Sequence, residues 1–243
     1  MPLRDHFRPP VDNIASWEAL HGGWPMTIVQ HLRTVLPTGY TAAPQIHLGS
    51  QFEIDVATYE RDDRPPSGGT DSGGGLATLP WAPPSPSVDV VTGLSDEDEY
   101  EVRIYDAERG RRLVATIELV SPGNKDREEK RNSFIGKCAA LLRRGIAVSI
   151  VDVVTVRPVN LYTELMRFIG HTDPAMSGDP PELYAAACRL VERGESTALQ
   201  TWSRTLAVGE RLPTLPLWLS ESHAVPLDLE VSYENACRDL WIS

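Results

Sequence analysis

The sequence predicts an α/β protein, and three consecutive segments carry this prediction. Residues 101–106 and 111–120 favour the two strands of an antiparallel hairpin that turns at residues 107–110. Residues 126–144 favour a helix, because acidic side chains come early and basic side chains late, as the helix dipole prefers. Residues 146–156 form a continuous β-branched run, which is typical of a central strand buried on both faces. A strand–helix–strand order of this kind predicts a crossover between parallel strands.

The N-terminal part predicts two helices followed by extended chain. A short helix is expected over residues 15–20, and Gly22-Gly23 is expected to break it. Pro25 suits the first position of a second helix, whose apolar residues recur at helical spacing as far as Leu36. Two extended segments should follow, at residues 40–49 and 51–59.

Residues 61–86 are rich in Pro and Gly and predict a flexible loop inserted between strands of one domain. A single domain over residues 1–243 is therefore expected, with a core of about residues 14–170. Residues 171–243 would form an extension of that core.

The C-terminal part is less distinctive. A short helix is expected over residues 161–169. Residues 182–193 are rich in alanine and locally favour a helix, yet together with 197–206 they also suit a hairpin. The prolines in residues 212–218 require extended chain, and residues 235–241 favour a terminal helix.

The charge composition argues against one class of function and is compatible with two others. The net charge of −11 argues against a protein that coats nucleic acid non-specifically. Residues 103–144, however, carry eleven Lys and Arg against six Asp and Glu, so this segment has a net charge of +5 and the rest of the chain −16. Such a positive face could receive a phosphodiester or a complementary protein surface.

Other classes are disfavoured by what the sequence lacks. It contains no run of about 20 apolar residues and no hydrophobic leader, so we expect a cytoplasmic protein without a membrane partner. The cysteines Cys138, Cys188 and Cys237 are far apart, and a structural zinc site is not expected.

The lysines are concentrated in one place. All three, Lys125, Lys130 and Lys137, fall within thirteen residues, whereas twenty arginines are spread over the chain. Lysine is a compact donor whose pKa can be tuned, so the cluster suggests a site that needs an ammonium group. The alternative is a solvated helix face on which Lys and Arg are equivalent.

Two carboxylates and one of these lysines suggest metal chemistry. Asp55 and Glu118 each lie in a predicted strand, and Lys137 lies in the helix that follows the second strand. Two carboxylates that meet at a sheet are costly unless a cation neutralises them. Mg²⁺ can do so while it keeps waters and a place for a phosphate oxygen. A neighbouring lysine could orient the attacking water.

Several segments together resemble the restriction-endonuclease-like PD-(D/E)xK superfamily. They are Ile54-Asp-Val-Ala57, Ile117-Glu-Leu-Val-Ser-Pro-Gly-Asn-Lys125, and Lys137 eight residues before Gly145. The sequence is most similar to a pair of largely uncharacterised bacterial families of endonuclease-like proteins. These carry a Glu-x-x-Ser-Pro strand end and have moved the usual lysine to the next helix. Accordingly, Val120 stands where the ordinary motif has lysine.

The resemblance implies a mixed central sheet flanked by helices, with a β or extended C-terminal extension. It implies that Asp55 and Glu118 bind Mg²⁺ or Mn²⁺, that Lys137 completes a catalytic site, and that DNA or RNA is the substrate. It also implies that residues 183–206 are extended. Segments 212–217 and 225–229 resemble the longer of the two families as well.

Other assignments fit the same residues. Asp89 or Asp106 could supply the first carboxylate, and a buried Glu118 could form a structural ion pair with Lys137 or Lys125. Lys125 is expected to be solvated, although together with Asn124 it could contact a substrate phosphate. A catalytically inactive fold that serves as a protein-binding or nucleic-acid-binding module is the competing function.

Overall fold

A computed structural model describes residues 2–47, 99–176, 179–194 and 196–242 of the chain. The helices are α1 (Trp17–Val35), α2 (Pro122–Asp126), α3 (Glu128–Arg143), α4 (Leu161–Phe168) and α5 (Leu229–Asp239). The strands are β1 (Tyr40–His47), β2 (Glu99–Asp106), β3 (Arg112–Leu119), β4 (Ala147–Asp152), β5 (Tyr184–Arg193), β6 (Ser196–Thr205), β7 (Thr214–Trp218) and β8 (Ala224–Asp228). The predictions for residues 51–59 and 61–86 lie outside the described residues, as do Asp55 and Asp89.

The structure is an α/β protein with a six-stranded mixed sheet in the order β1-β2-β3-β4-β5-β6. Neighbouring strands run antiparallel except β3 and β4, which are parallel. The β2–β3 hairpin, the parallel crossover and the buried central strand β4 confirm the sequence predictions. Strands β7 and β8 form a separate two-stranded sheet.

The alanine-rich segment is a hairpin and not a helix. β5 pairs with β4 on one side and with β6 on the other, and residues 184–188 are all buried. Small side chains suit a strand that is covered on both faces, so tertiary packing overrides the local helical preference of alanine.

Helices cover both faces of the sheet. One core contains residues from α1, α5, β7 and β8 together with Ile117 and Val102, which alternate with the site residues described below. The other core contains residues from α3 and α4 together with Val148 and Ile150. Strands β4 and β5 therefore contribute alternate side chains to two different helix layers.

Helix α1 is continuous, and the predicted break at Gly22-Gly23 is wrong. Ser16 caps its N-terminus, and Pro25 lies inside the helix, where it cannot donate to the carbonyl of His21. The burial of its apolar stripe explains why the helix is continuous. Trp17, Leu20, Trp24, Ile28 and Leu32 are all buried on one face, and their burial outweighs the local cost of the glycines and the proline.

Two other helix boundaries differ from expectation. The helix predicted over residues 126–144 is α3, which begins at Glu128, and the short helix α2 precedes it; Arg127 separates the two with an extended backbone, φ −115° and ψ 153°. Ser121 and Asn124 form a capping box that starts α2 at Pro122. The terminal helix begins earlier than predicted, at Leu229, because Asp228 caps it. Within the described residues, every helix is too short or too polar to cross a membrane.

We expect Gly23→Ala to stabilise the protein by about 0.5–1 kcal/mol, because alanine loses less backbone entropy than glycine in a helix. A Cβ at Gly23 would meet no atom within 4 Å. Urea denaturation measures the change. Gly145→Ala is the matched control and should destabilise, because Gly145 has a φ of +73°. Unchanged or lower stability of Gly23→Ala would contradict the packing of α1.

Candidate functional site

Two carboxylates face each other across β2 and β3. Glu101 and Glu118 are cross-strand partners in the antiparallel register, and their residues are 1% and 2% exposed. Both side chains lie on the side of the sheet that α3 covers, since each contacts a residue of that helix. Two carboxylates opposite each other repel, so the pair requires cations nearby.

Lys137 of α3 supplies one cation. Its Nζ lies 2.9 Å from Glu118 Oε2 and 3.4 Å from Glu101 Oε2. Its side chain is 25% exposed, so the ammonium group lies between the buried carboxylates and solvent. The ring of Phe134, one turn earlier on α3, lies 5.8 Å from the Nζ. The predicted association of Glu118 with a lysine from the next helix is therefore present.

Arg103 supplies the second cation. Its Nε donates to Glu101 Oε1, and Lys137 contacts the other oxygen, Oε2. The charges of the two glutamates and these two cations cancel when all four groups are ionised. These four described residues together therefore carry no net charge in that state.

Burial has the largest effect on the pKa of Glu118. Burial raises the pKa of the Glu118 carboxyl well above its usual range, and the neighbouring Glu101 raises this pKa further, whereas Lys137 opposes both effects. Burial also raises the pKa of the Cys138 thiol, with a further contribution from Glu118. Cys138 is therefore an unreactive thiol near neutral pH and not a nucleophile of this site.

Two buried oxygens of this cluster lack hydrogen-bond partners in the described part of the chain. They are Glu118 Oε1 and Thr116 Oγ1. Thr116 precedes Glu118 by two residues on β3, so the two side chains share one face of the strand. A buried polar atom without a partner is costly and is often explained by a bound water, ion or ligand.

These residues fit a divalent cation. Mg²⁺ is commonly held by one or two protein carboxylates and several waters, and Glu101 and Glu118 supply such a pair. Within the described residues no group of three or more His, Cys, Asp or Glu side chains could hold a metal ion. The other positions around a metal would therefore belong to water, to substrate or to residues such as Asp55 that lie outside the described ranges.

Glu101 is the site residue that the sequence analysis missed. If the hairpin had kept the register of its turn, where Asp106 pairs with Arg112, Glu101 would face Ile117. A register shift between Ile104 and Tyr105 places it opposite Glu118. The alternation in Glu99-Tyr-Glu-Val-Arg103 was a usable signal for a strand with a polar face, but it did not indicate the shift.

Asp106, which could have replaced Asp55 as the first carboxylate, instead stabilises the hairpin turn. Its Oδ1 accepts hydrogen bonds from the backbone N–H groups of Glu108 and Arg109 in the hairpin turn. It lies five residues from Glu101 along β2, which corresponds to about 16 Å of strand. Asp106 therefore stabilises the turn and is remote from Glu118.

Lys125 occupies an unexpected position. Its side chain and that of Asp152 are both fully buried, and its Nζ lies 3.0 Å from Asp152 Oδ2. The prediction that Lys125 is solvated is wrong, because α2 directs this side chain under the end of β4. Asn124 is likewise buried, and its side-chain oxygen accepts from the backbone N–H of Ser121. These positions do not favour the predicted contact of Lys125 and Asn124 with a substrate phosphate.

Asp152 has an elevated pKa despite its ion pair. Burial raises the pKa of Asp152 to about 7, although Lys125 and the backbone N–H of Val154 act in the opposite direction. A buried pair of this kind fixes the position of α2 against the sheet, but each partner depends on the other.

A shallow depression lies elsewhere, beside α4 and β6. Its wall includes His171, Thr172 and Asp173. Asp173 Oδ2 accepts hydrogen bonds of 2.6 Å from the hydroxyl groups of Tyr162 and Ser203. These contacts connect α4 to β6, and the depression includes none of the predicted site residues.

Comparisons of this chain with protein-family models, with curated proteins and with solved structures found no match.

We expect Lys125→Met to lower the free energy of unfolding by about 3–5 kcal/mol at pH 8, because it leaves Asp152 buried without its cation. The loss should be smaller at pH 5. In the native state the elevated pKa of Asp152 then keeps this carboxyl protonated and neutral.

Urea denaturation at the two pH values measures both effects. Lys130→Met is the matched control, because it removes the same charge from α3, and it should change stability by less than about 0.5 kcal/mol. The double variant Lys125→Met with Asp152→Leu should recover most of the loss. An equal loss at both pH values, or no recovery in the double variant, would refute the buried ion pair.

Proposed function

We propose that this chain is a metal-dependent phosphodiesterase that hydrolyses DNA or RNA. One observation carries the proposal: a lysine that is partly exposed bridges two buried carboxylates on adjacent strands. Such a grouping can hold a cation, a water molecule and a phosphate oxygen within reach of one another.

The order of elements supports membership of the PD-(D/E)xK superfamily. One helix, α1, precedes the antiparallel strands β1, β2 and β3, and a crossover through α3 leads to the parallel strand β4. The motif Glu118-x-x-Ser-Pro stands at the end of β3, and the lysine comes from α3, as in the related bacterial families.

Each residue receives a role in this proposal. Glu101 and Glu118 bind Mg²⁺ or Mn²⁺, and Glu101 takes the position that the sequence analysis gave to Asp55. When bound, the metal lowers the pKa of a coordinated water and stabilises charge on the phosphate. Lys137, held by both carboxylates, orients the attacking water and stabilises developing negative charge. Asp55 remains a predicted further ligand.

A second function is a non-catalytic module that binds nucleic acid or protein. The observation in its favour is the balance of charge, because Arg103 and Lys137 already neutralise Glu101 and Glu118 without a metal. In that case the cluster only stabilises the sheet against α3. The metal affinity of the site separates the two proposals.

We expect Glu118→Gln and Glu101→Gln each to weaken Mn²⁺ binding by more than about tenfold, since even the loss of an outer partner of a metal ligand commonly costs 10-fold to 100-fold. Affinity should increase as the pH rises, and binding should release protons, because burial raises the pKa of the Glu118 carboxyl and a metal binds its deprotonated form.

Isothermal calorimetry in buffers of different ionisation enthalpy measures affinity and proton release together. Glu192→Gln is the matched control, because it removes one carboxylate from an exposed position of β5. Equal binding by the wild type and both site variants would exclude Glu101 and Glu118 as ligands. No binding by the wild type would favour the non-catalytic module.

We expect Lys137→Met to lower the turnover of nucleic-acid cleavage by at least about 100-fold, the effect of removing one group that stabilises the transition state. The fold should persist, because Glu118 can remain protonated once the ammonium group is absent. Cleavage of supercoiled plasmid and of labelled single strands with Mg²⁺ or Mn²⁺ measures the rate, and circular dichroism checks the fold. A Lys130→Met protein should cleave normally. Wild-type turnover in Lys137→Met would remove this lysine from the mechanism.

A further inference from the structure

Three arginines form an exposed tip on the β2–β3 hairpin. Arg109, Arg111 and Arg112, here called the arginine tip, lie in a turn whose residues 107–112 are all exposed. The side chain of Arg109 is 75% exposed, and its Nε lies 3.7 Å from Asp106 Oδ2. Within the part of the chain that the structure describes, the guanidinium groups of Arg111 and Arg112 form no hydrogen bond or ion pair. Their N–H donors are therefore available to a ligand.

Arg111 has an unusual backbone for an arginine. Its φ is +58°, in the left-handed region, and it directly follows Gly110, whose φ is +68°. A Cβ is unfavourable in this conformation, where glycine or asparagine is the usual residue. Residues held in such conformations cluster at active sites and ligand-binding sites. The turn therefore disfavours arginine at this position, and a role of its side chain accounts for the residue.

A row of contacts connects the arginine tip with the buried carboxylates. The guanidinium group of Arg111 lies 4.8 Å from the ring centre of Tyr105, and Tyr105 is a hydrogen-bond partner of Arg103. Arg103 in turn donates to Glu101. The row follows β2 over about 16 Å and is partly exposed at Tyr105 and Arg103. A polyanion that lies along this row can contact the tip while it reaches Glu101 and Glu118.

The crossover helix adds two arginines at the same end of the sheet. Arg143 and Arg144 end α3, and both are exposed. Ala147, three residues after Arg144, pairs in parallel with Ala115, three residues after Arg112. The end of α3 and the arginine tip therefore lie beyond the same ends of β3 and β4. Together they carry five arginines against the two acidic residues of the turn, in a chain whose net charge is −11. A positive end on an acidic protein attracts a polyanion.

We propose that the arginine tip binds the phosphate backbone of the nucleic-acid substrate. This inference rests on the proposed activity on nucleic acid and adds a binding surface to it. The arginine fork matches the oxygens of a phosphate, and a two-stranded turn is narrow enough to enter the major groove of a duplex. The 16 Å between the tip and Glu101 correspond to about five nucleotides of a duplex strand. The tip therefore positions the strand, whereas Glu101, Glu118 and Lys137 act in cleavage.

The test uses the full chain and three variants. The tip variant combines Arg111→Gln with Arg112→Gln. The matched control combines Arg204→Gln with Arg238→Gln, which removes two charges from exposed positions of β6 and α5. The third variant is Arg111→Asn. Fluorescence anisotropy in Ca²⁺ measures the Kd of a labelled DNA duplex and a labelled RNA duplex at several salt concentrations. Steady-state cleavage in Mg²⁺ or Mn²⁺ gives KM and kcat, and thermal denaturation checks each fold.

We expect the tip variant to raise Kd and KM by about tenfold at low salt, because it removes two contacts between charged groups. The slope of log Kd against log salt concentration should decrease by about 1.8, since each phosphate contact contributes about 0.9. The value of kcat should change by less than about threefold, because the tip is about 16 Å from Glu101. The control variant should change Kd by less than about twofold and keep the wild-type slope.

Arg111→Asn separates binding from packing. Asparagine adopts the left-handed conformation readily, so this variant should keep or raise the melting temperature while Kd rises severalfold. A lower melting temperature with wild-type Kd would show that Arg111 only packs on Tyr105, and it would overturn the binding role.

Wild-type Kd and salt dependence in the tip variant would also overturn the assignment, as would an equal loss of affinity in the control. A wild type that still cleaves in these cases leaves the proposed activity in place. Conversely, a wild type that binds through the tip but does not cleave would refute the phosphodiesterase and retain the binding surface. A wild type that binds neither duplex at low salt would overturn the tip assignment whatever its catalytic activity.

Discussion

The repulsion between Glu101 and Glu118 is the constraint around which the centre of this structure is built. Both carboxylates are buried, and they face each other across neighbouring strands. Such a pair is stable only with compensating cations or protons. Arg103 on the same strand and Lys137 on the crossover helix provide the cations, and the raised pKa of Glu118 provides the option of a proton. The chemistry of the site therefore depends on this one interaction, whereas apolar residues of α3 pack the helix onto the sheet.

The parts of the fold that the sequence predicted are those with local signals. The hairpin of β2 and β3, the helix that follows and the buried strand β4 each have a distinctive pattern within a short segment. Lys137 and Glu118 could be connected because both lie within this block. The continuity of α1 could not be predicted from Gly22, Gly23 and Pro25, because distant side chains supply the burial that stabilises it.

The site residues that escaped prediction depend on long-range geometry. Glu101 meets Glu118 only because the register shifts between Ile104 and Tyr105, and one residue of slip exchanges the two faces of a strand. Lys125 and Asp152 meet because α2 ends beneath β4, 27 residues further along the chain. Neither the shift nor the burial of an ammonium group has a local signature in the sequence.

The two buried lysine–carboxylate contacts differ in a way that bears on function. Lys125 and Asp152 are fully enclosed, and hydrophobic residues could replace such a pair with little loss of stability. Lys137 and Arg103 instead lie at the border with solvent, above carboxylates that they only partly cover. A purely structural cluster has no need of two partly exposed cations, nor of two buried oxygens, Glu118 Oε1 and Thr116 Oγ1, that lack a hydrogen-bond partner among the described residues. A site whose carboxylates bind a metal ion and whose lysine orients the attacking water would use these features, which is why we propose catalysis rather than scaffolding.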